Sequence, residues 1–169
     1  EYMQWGGFPN LPSIKNETIR RDMLKGIYSS IVLKDVASRG SIREVNVLER
    51  VITYLLDIIG QTVSVKKIAD TLTSSGLKTN SASVDRYVQL LTESFIFYEA
   101  SRYDIRGKAR LKTGAKYYVG DTGLRNTALG QISNFGSQLE NIIYIELKRR
   151  GYEVFVGKLD SEEIDFVCF

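Results

Sequence analysis

The feature that most restricts what this chain can become is the run from Asn46 to Asp121, where three short amphipathic helical segments are followed by two strand segments. Residues 47–59 place Leu48, Val51, Ile52, Leu55, Leu56 and Ile59 on one wide face, the spacing of a core helix. Asn46 precedes it with Glu49 three residues on, a cap signature, and Gly60 is placed to close it. The second segment, 65–73, is capped by Ser64, turns Ile68, Ala69 and Leu72 inward, and is broken by Ser74-Ser75-Gly76. The third, 81–92, is capped by Asn80 or Ser81 and buries Val84, Tyr87, Val88 and Leu91. Strands are expected at 95–103 and 116–119.

Three helices and a hairpin in that order are the layout of a winged helix, so the chain reads as a helix-rich α+β protein with 47–120 as one domain. In such a unit the exposed start of the third helix enters the major groove of DNA. Here it offers Thr79, Asn80, Ser81, Ser83 and Arg86, of which Arg86 alone has the planar fork that reads guanine. The stretch between the strands carries Arg102, Arg106, Lys108, Arg110, Lys112 and Lys116 against Asp104, and six cations against one acid leave a net charge of +5. The whole chain carries +3. Arg106, Lys108, Arg110 and Lys112 share parity and leave one face wherever the arm is extended. Neutralising ~5 phosphates would make affinity fall several-hundred-fold between 50 and 200 mM salt. Duplex DNA is the expected partner; the competing reading is a protein-interaction module whose basic arm docks an acidic partner.

Composition removes much of catalysis. With no histidine and the single Cys168, the chain holds no Ser-His or Cys-His nucleophile pair, no internal disulfide and no usual zinc site. No GxxxxGK[ST] loop is present, so no nucleotide cradle is expected within it. The absence of an apolar run of about 18 residues and of a signal-peptide pattern points to a cytoplasmic location and no membrane span. A start other than Met and a last apolar run ending at Phe169 suggest a piece of a longer protein.

Toward the N-terminus, Trp5-Gly6-Gly7-Phe8-Pro9 reads as a turn, followed by a helix from Asn16 to about Val36 with Ile19, Met23, Ile27 and Ile31 as a buried stripe. Beyond the hairpin, Asp121 reads as a turn or helix cap after Gly120. Residues 131–136 read as a loop, and Ser137 opens a helix to Arg150 closed by Gly151, with Ser137-x-x-Glu140 as a capping box. A strand is expected at 152–156 and a second at 164–169, whose nearly unbroken apolar run suits a central position in a sheet.

Gly136-Ser137-Gln138-Leu139-Glu140, Leu147, Arg150-Gly151-Tyr152-Glu153-Val154 and Glu163-Ile164-Asp165-Phe166-Val167 together resemble the opening half of the PD-(D/E)xK nuclease-like fold, to which Holliday-junction resolvases and restriction endonucleases belong. Adding Gly6-Gly7-Phe8-Pro9, residues 102–108 and Lys116-Tyr117-Tyr118-Val119-Gly120-Asp121-Thr122-Gly123-Leu124-Arg125-Asn126, the chain resembles throughout the C-terminal region of bacterial and archaeal AAA-family ATPases, a domain of unknown function. The resemblance implies an ATPase core upstream that uses ATP and Mg²⁺. It makes 1–46 a helical segment after the ATPase lid and 121–169 the truncated first half of a nuclease-like domain. By motif position Glu140 is the helix acid and Asp165 the strand acid of a metal-dependent nuclease, while the third motif falls after Phe169. In this ATPase group that third strand often carries a non-acid. No metal or cofactor is therefore expected here, cleavage is the least favoured reading, and a homo-oligomer is allowed.

Overall fold

The computed structural model describes the backbone of residues 1–169 and every side chain except those of residues 32, 33, 112 and 113. The helices are α1 (Tyr2–Trp5), α2 (Glu17–Ile27), α3 (Val36–Arg39), α4 (Val45–Asp57), α5 (Val65–Ser74), α6 (Ser81–Glu93), α7 (Thr122–Leu129) and α8 (Phe135–Arg149). The strands are β1 (Phe97–Asp104), β2 (Ala109–Val119), β3 (Val154–Leu159) and β4 (Glu162–Cys168). The fold is α+β. No helix of the described residues is long and apolar enough to cross a membrane.

Local chemistry explains several of the helix starts. Asn16 accepts the backbone N–H of Thr18 and Ile19, Ser64 that of Lys67, and Asn80 that of Ser83, each satisfying donors that a first helical turn leaves open. Two expected caps do not form. Helix α4 starts two residues early, behind Glu44, so Asn46 lies inside it; α8 starts at Phe135 behind Asn134, so Ser137 and Glu140 are interior and no capping box exists. The long N-terminal helix is also interrupted: α2 passes into a wider, π-type stretch at Tyr28–Asp35 before α3. Leu24 and Val36 are buried, while Ile19 and Ile31, expected in the core, are exposed.

The main core lies between α4, α5, α6 and the inner face of the hairpin, with Leu48, Ile52, Leu55, Ile68, Val84, Leu91 and Phe97 fully or almost fully buried. The strands form one sheet in the order β2-β1-β3-β4. β1 and β2 pair antiparallel, β1 and β3 parallel with Arg102 opposite Val156, and β3 and β4 antiparallel. Strands on both sides of residue 120 thus share a sheet, covered on one face by α8 through Tyr118, Tyr144, Ala100, Val154 and Val156. The apolar last strand is not central. β4 folds back along β3 through a turn that holds Asp160 at φ 55° and lies at the edge of the sheet, mostly exposed. Its apolar run therefore reflects a partly covered edge.

The N-terminal turn meets α7. Gly7 N–H donates to Asp121 at 2.7 Å, Thr122 donates to Tyr2 O, and Asn126 Nδ2 donates to Met3 O and Gln4 O. Asp121 also caps α7 by accepting Leu124 N–H at 2.9 Å. Burial pushes its pKa up, against the pull of the donated N–H groups. A Cβ on Gly123 would lie 2.1 Å from the Trp5 carbonyl oxygen, so glycine is required there by contact.

Candidate functional site

The basic arm is largely strand. β1 and β2 run to within four residues of each other, so Arg106 and Lys108 sit in the tip, Arg110 and Lys112 in β2, and Lys116 well down that strand. The tip lies beside the β3-β4 turn. There Arg106 pairs with Asp160 at 2.6 Å, and Arg110 pairs with Glu153 at 2.5 Å while lying over the Phe155 ring. Both pairs are more than half exposed, where an ion pair is worth about 0–1 kcal/mol. Lys108 is exposed with φ 50°; the side chain of Lys112 lies outside the described residues.

Lys116 is no phosphate ligand. Its side chain is 3% exposed, and its ammonium reaches Glu140 at 2.9 Å, Glu163 at 2.8 Å and Asp165 at 3.8 Å. Tyr118 donates its hydroxyl to Glu140 at 2.7 Å, and Thr62 donates to Glu163. Burial pulls the Lys116 pKa down, but the hydrogen bonds it donates to Glu163 and Glu140 outweigh it and leave a net rise. The Glu163 carboxyl, pushed up by burial, is brought below its ordinary value chiefly by the same ammonium. Lys116 is thus a fixed cation. Strand alternation explains the position: Lys116 and Tyr118 share a face of β2, the one packed on α8. Sequence alone hid this because the partners are 24 and 47 residues away.

The two acids expected from the nuclease resemblance, Glu140 and Asp165, are brought to one place, joined by Glu163, with a lysine ammonium among them. The ammonium lies within 4 Å of all three carboxylates, and among the described residues no group of three or more His, Cys, Asp or Glu side chains is placed to hold one metal ion. Both acids instead help to neutralise a buried strand lysine.

The start of α6 is also more committed than its sequence suggested. Asn80 is used as the helix cap, and Arg86 donates to the Gly40 carbonyl, which takes its fork away from a base edge. Ser81 is exposed and Ser83 partly so. Arg102 is only partly exposed, with its Nε buried and unpaired. A groove of about 460 Å³ between α6 and the hairpin is lined by Asp85 and Glu99 as well as Lys66. Burial first, and Asp85 second, raise the Glu99 pKa. In space Arg106 pairs with Asp160, Arg110 with Glu153, and Lys116 with Glu140, Glu163 and Asp165, while Asp104 of the hairpin lies near Arg106. The charge of +5 read along the chain is thus partly offset in space. Composition could not have shown this, because five of these acids come from beyond the hairpin.

Comparison with known proteins places the chain among longer polypeptides. An uncharacterized protein from Haemophilus influenzae is 48% identical over 169 residues, which cover 99% of this chain and 42% of the relative. Uncharacterized protein MJ1544 from Methanocaldococcus jannaschii is 29% identical over 173 residues, covering 100% of this chain and 38% of the relative. The chain therefore spans about two fifths of the length of these curated relatives. No solved structure matches it. A family model described as Domain of unknown function (DUF8612) matches residues 1–134, ending where α8 begins, and the chain belongs to that family.

Proposed function

We propose that this chain is a non-catalytic docking region of an AAA-family ATP-binding protein, a winged-helix unit whose wing is fused into a nuclease-like αβ unit, and that its partner is a protein surface. The observation that carries this reading is the pairing of Arg106, Arg110 and Lys116 with carboxylates of α8, β4 and the segments flanking β3, which offsets much of the arm's charge. The acidic groove beside α6 works in the same direction, because a phosphate backbone laid there would meet Asp85 and Glu99. More than half of each longer relative lies outside the match, which is room for the nucleotide-binding core that this sequence lacks. Glu140 and Asp165, engaged by Lys116, act as structural acids in this reading.

Duplex DNA binding is the second reading, favoured by the exposure of Arg106, Lys108 and Arg110 at the hairpin tip and of Lys66, Lys67 and Lys78 on the helical side. Surface ion pairs are weak enough to be exchanged for phosphates. The two readings separate in a salt titration with labelled duplex DNA, beside a variant with Arg106, Lys108, Arg110 and Lys112 changed to Ala. The docking reading expects binding weaker than ~10 μM at 50 mM salt, equal competition by polyglutamate, and a log–log salt slope of about −2 or shallower. Micromolar binding with a slope near ~−4 that flattens in the variant would overturn it in favour of DNA.

A further inference from the structure

The groove of about 460 Å³ between α6 and the hairpin has one helical wall and one strand wall. On the helix side Asp85, Val88, Gln89 and Thr92 recur at the spacing of a single helical face. On the sheet side Glu99 stands directly opposite Tyr117 in the β1-β2 ladder, so the two side chains leave the same face next to each other. The following pair on that face, Phe97 and Val119, belongs to the main core. The groove therefore opens where the packing of α6 on the hairpin stops. All of its walls come from residues 63–117, well inside the chain.

Its polar groups are not matched with one another. Among the described residues the Asp85 carboxylate accepts only Gln89 Nε2–H, at 3.1 Å, and the Glu99 carboxylate accepts no hydrogen bond. Neither forms an ion pair with them, although Lys66 lines the same groove. Tyr117 supplies an independent feature. It is only 4% exposed and lines the groove, yet its hydroxyl has no hydrogen-bond partner among the described residues, where a buried tyrosine hydroxyl ordinarily has one. Burial first, then Glu99 and Asp85, push its pKa up, so the hydroxyl sits in the field of both carboxylates. Two acids and one open hydroxyl face the groove, and no cation is paired with them.

We propose that this groove receives the ammonium or guanidinium group of a lysine or arginine side chain presented by a partner protein. The inference rests on the docking reading and names the chemistry of the partner at one point. A cationic N–H donor supplies what Asp85 and Glu99 lack and can also donate to the Tyr117 oxygen, and charge-assisted bonds of this kind are roughly twice as strong as neutral ones. Its charge also relieves the repulsion that Asp85 exerts on Glu99. The methylene stem of such a side chain meets Val63, Val88 and Leu111 in the walls, as long basic side chains do when they bury the stem and keep the head on polar groups. Charge complementarity selects this occupant. A phosphate or an acidic side chain would add a third negative charge, and an apolar group would strip water from two carboxylates without replacing it.

The test is a proton–nitrogen NMR titration of the 169-residue chain with N-acetylarginine methylamide, N-acetyllysine methylamide and the uncharged N-acetylcitrulline methylamide. A ligand of this size binds with a dissociation constant on the order of 1 mM. Glu99→Gln and Tyr117→Phe keep the side-chain shape, and Glu93→Gln, exposed on α6 outside the groove, controls for net charge. Saturable shifts of the Asp85, Gln89, Glu99 and Tyr117 amides with the arginine or lysine probe support the proposal if Glu99→Gln weakens binding about fivefold or more, Tyr117→Phe about twofold or more, and Glu93→Gln not at all. No saturable shift of these amides by ~20 mM probe, equal binding of the citrulline probe, or an equal loss in Glu93→Gln overturns it. Duplex DNA added to the same sample would shift the amides of residues 106–110 if the docking reading fails, so the two failures are read at different residues.

Discussion

Replacing Lys116 with Met tests whether the ammonium at the meeting of β2, α8 and β4 is a structural keystone. Methionine matches the apolar stem and removes only the charge. Glu140, with a side chain 19% exposed, and Glu163, at 42%, then face each other without a cation, and Tyr118 is left as the remaining donor to Glu140. Breaking a buried ion pair by deleting one partner costs about 3–5 kcal/mol. This cluster is open on the Glu163 side, and Asp165 at 3.8 Å is 67% exposed and adds little, so about 2–3 kcal/mol is expected. For a chain of this size that lowers the melting temperature by about 5–10 °C at pH 7.

The pH dependence provides the internal check. The folded Glu163 pKa is depressed, so its contribution is complete above the ordinary carboxylate range and is lost as pH falls through the folded value. The folded Lys116 pKa is raised, so its contribution is complete below the ordinary lysine value and is lost as pH rises through the raised one. Wild type should therefore exceed Lys116→Met most between these limits, with the gap closing toward pH 3 by thermal melting followed in the far-ultraviolet circular dichroism. Adding Glu140→Gln and Glu163→Gln to Lys116→Met should restore at least half of the loss. A melting temperature within 2 °C of wild type at pH 7, or a gap that does not change with pH, refutes the keystone role.

Three further outcomes are expected from melting or denaturant titration. Arg125, fully buried, donates to Leu56 O at 2.9 Å, Asn126 Oδ1 and Ser133 O, closing the end of α4; Arg125→Met orphans these acceptors and should cost about 2–4 kcal/mol. Asn141 imitates a neighbouring strand by accepting Val119 N–H at 2.7 Å and donating to Val119 O at 2.9 Å, so Asn141→Leu, similar in size, should lose about 2–4 kcal/mol where a merely filled space would tolerate it. Gly123→Ala forces the N-terminal turn off α7 and should expose the Trp5 ring, seen as a red shift of its fluorescence, while leaving the α4-α5-α6 core melting as one unit.

The three-helix run was legible because its information is local. Leu48, Ile52 and Leu55 repeat at the period of one helical face, and Ser64 and Asn80 cap helices within three residues of themselves. The glycine-rich turn and the segment from Asp121 to Asn126 were visible as motifs, yet only the fold shows that they clasp each other across more than 110 residues. Asn46 and Ser137 are both good caps that the chain passed over: helices α4 and α8 begin at Val45 and Phe135, ahead of their first buried residues, Val47 and Gln138. The edge position of β4 was illegible for a related reason. An apolar run reports that a strand is covered, not which neighbours it pairs with.

Charge was read least well. Along the chain, residues 102–116 look like an arm of +5 built for phosphate; in space each of Arg106, Arg110 and Lys116 meets a carboxylate supplied from elsewhere. Helix faces, caps and the exclusion of histidine and thiol chemistry followed from the sequence alone, since they depend on residue type and on neighbours a few positions away. Which cations find a carboxylate, and that Glu140 and Asp165 meet at one lysine, were decided by the tertiary structure. A Coulomb partner or an apolar wall acts over a few ångströms of space whatever its distance along the chain.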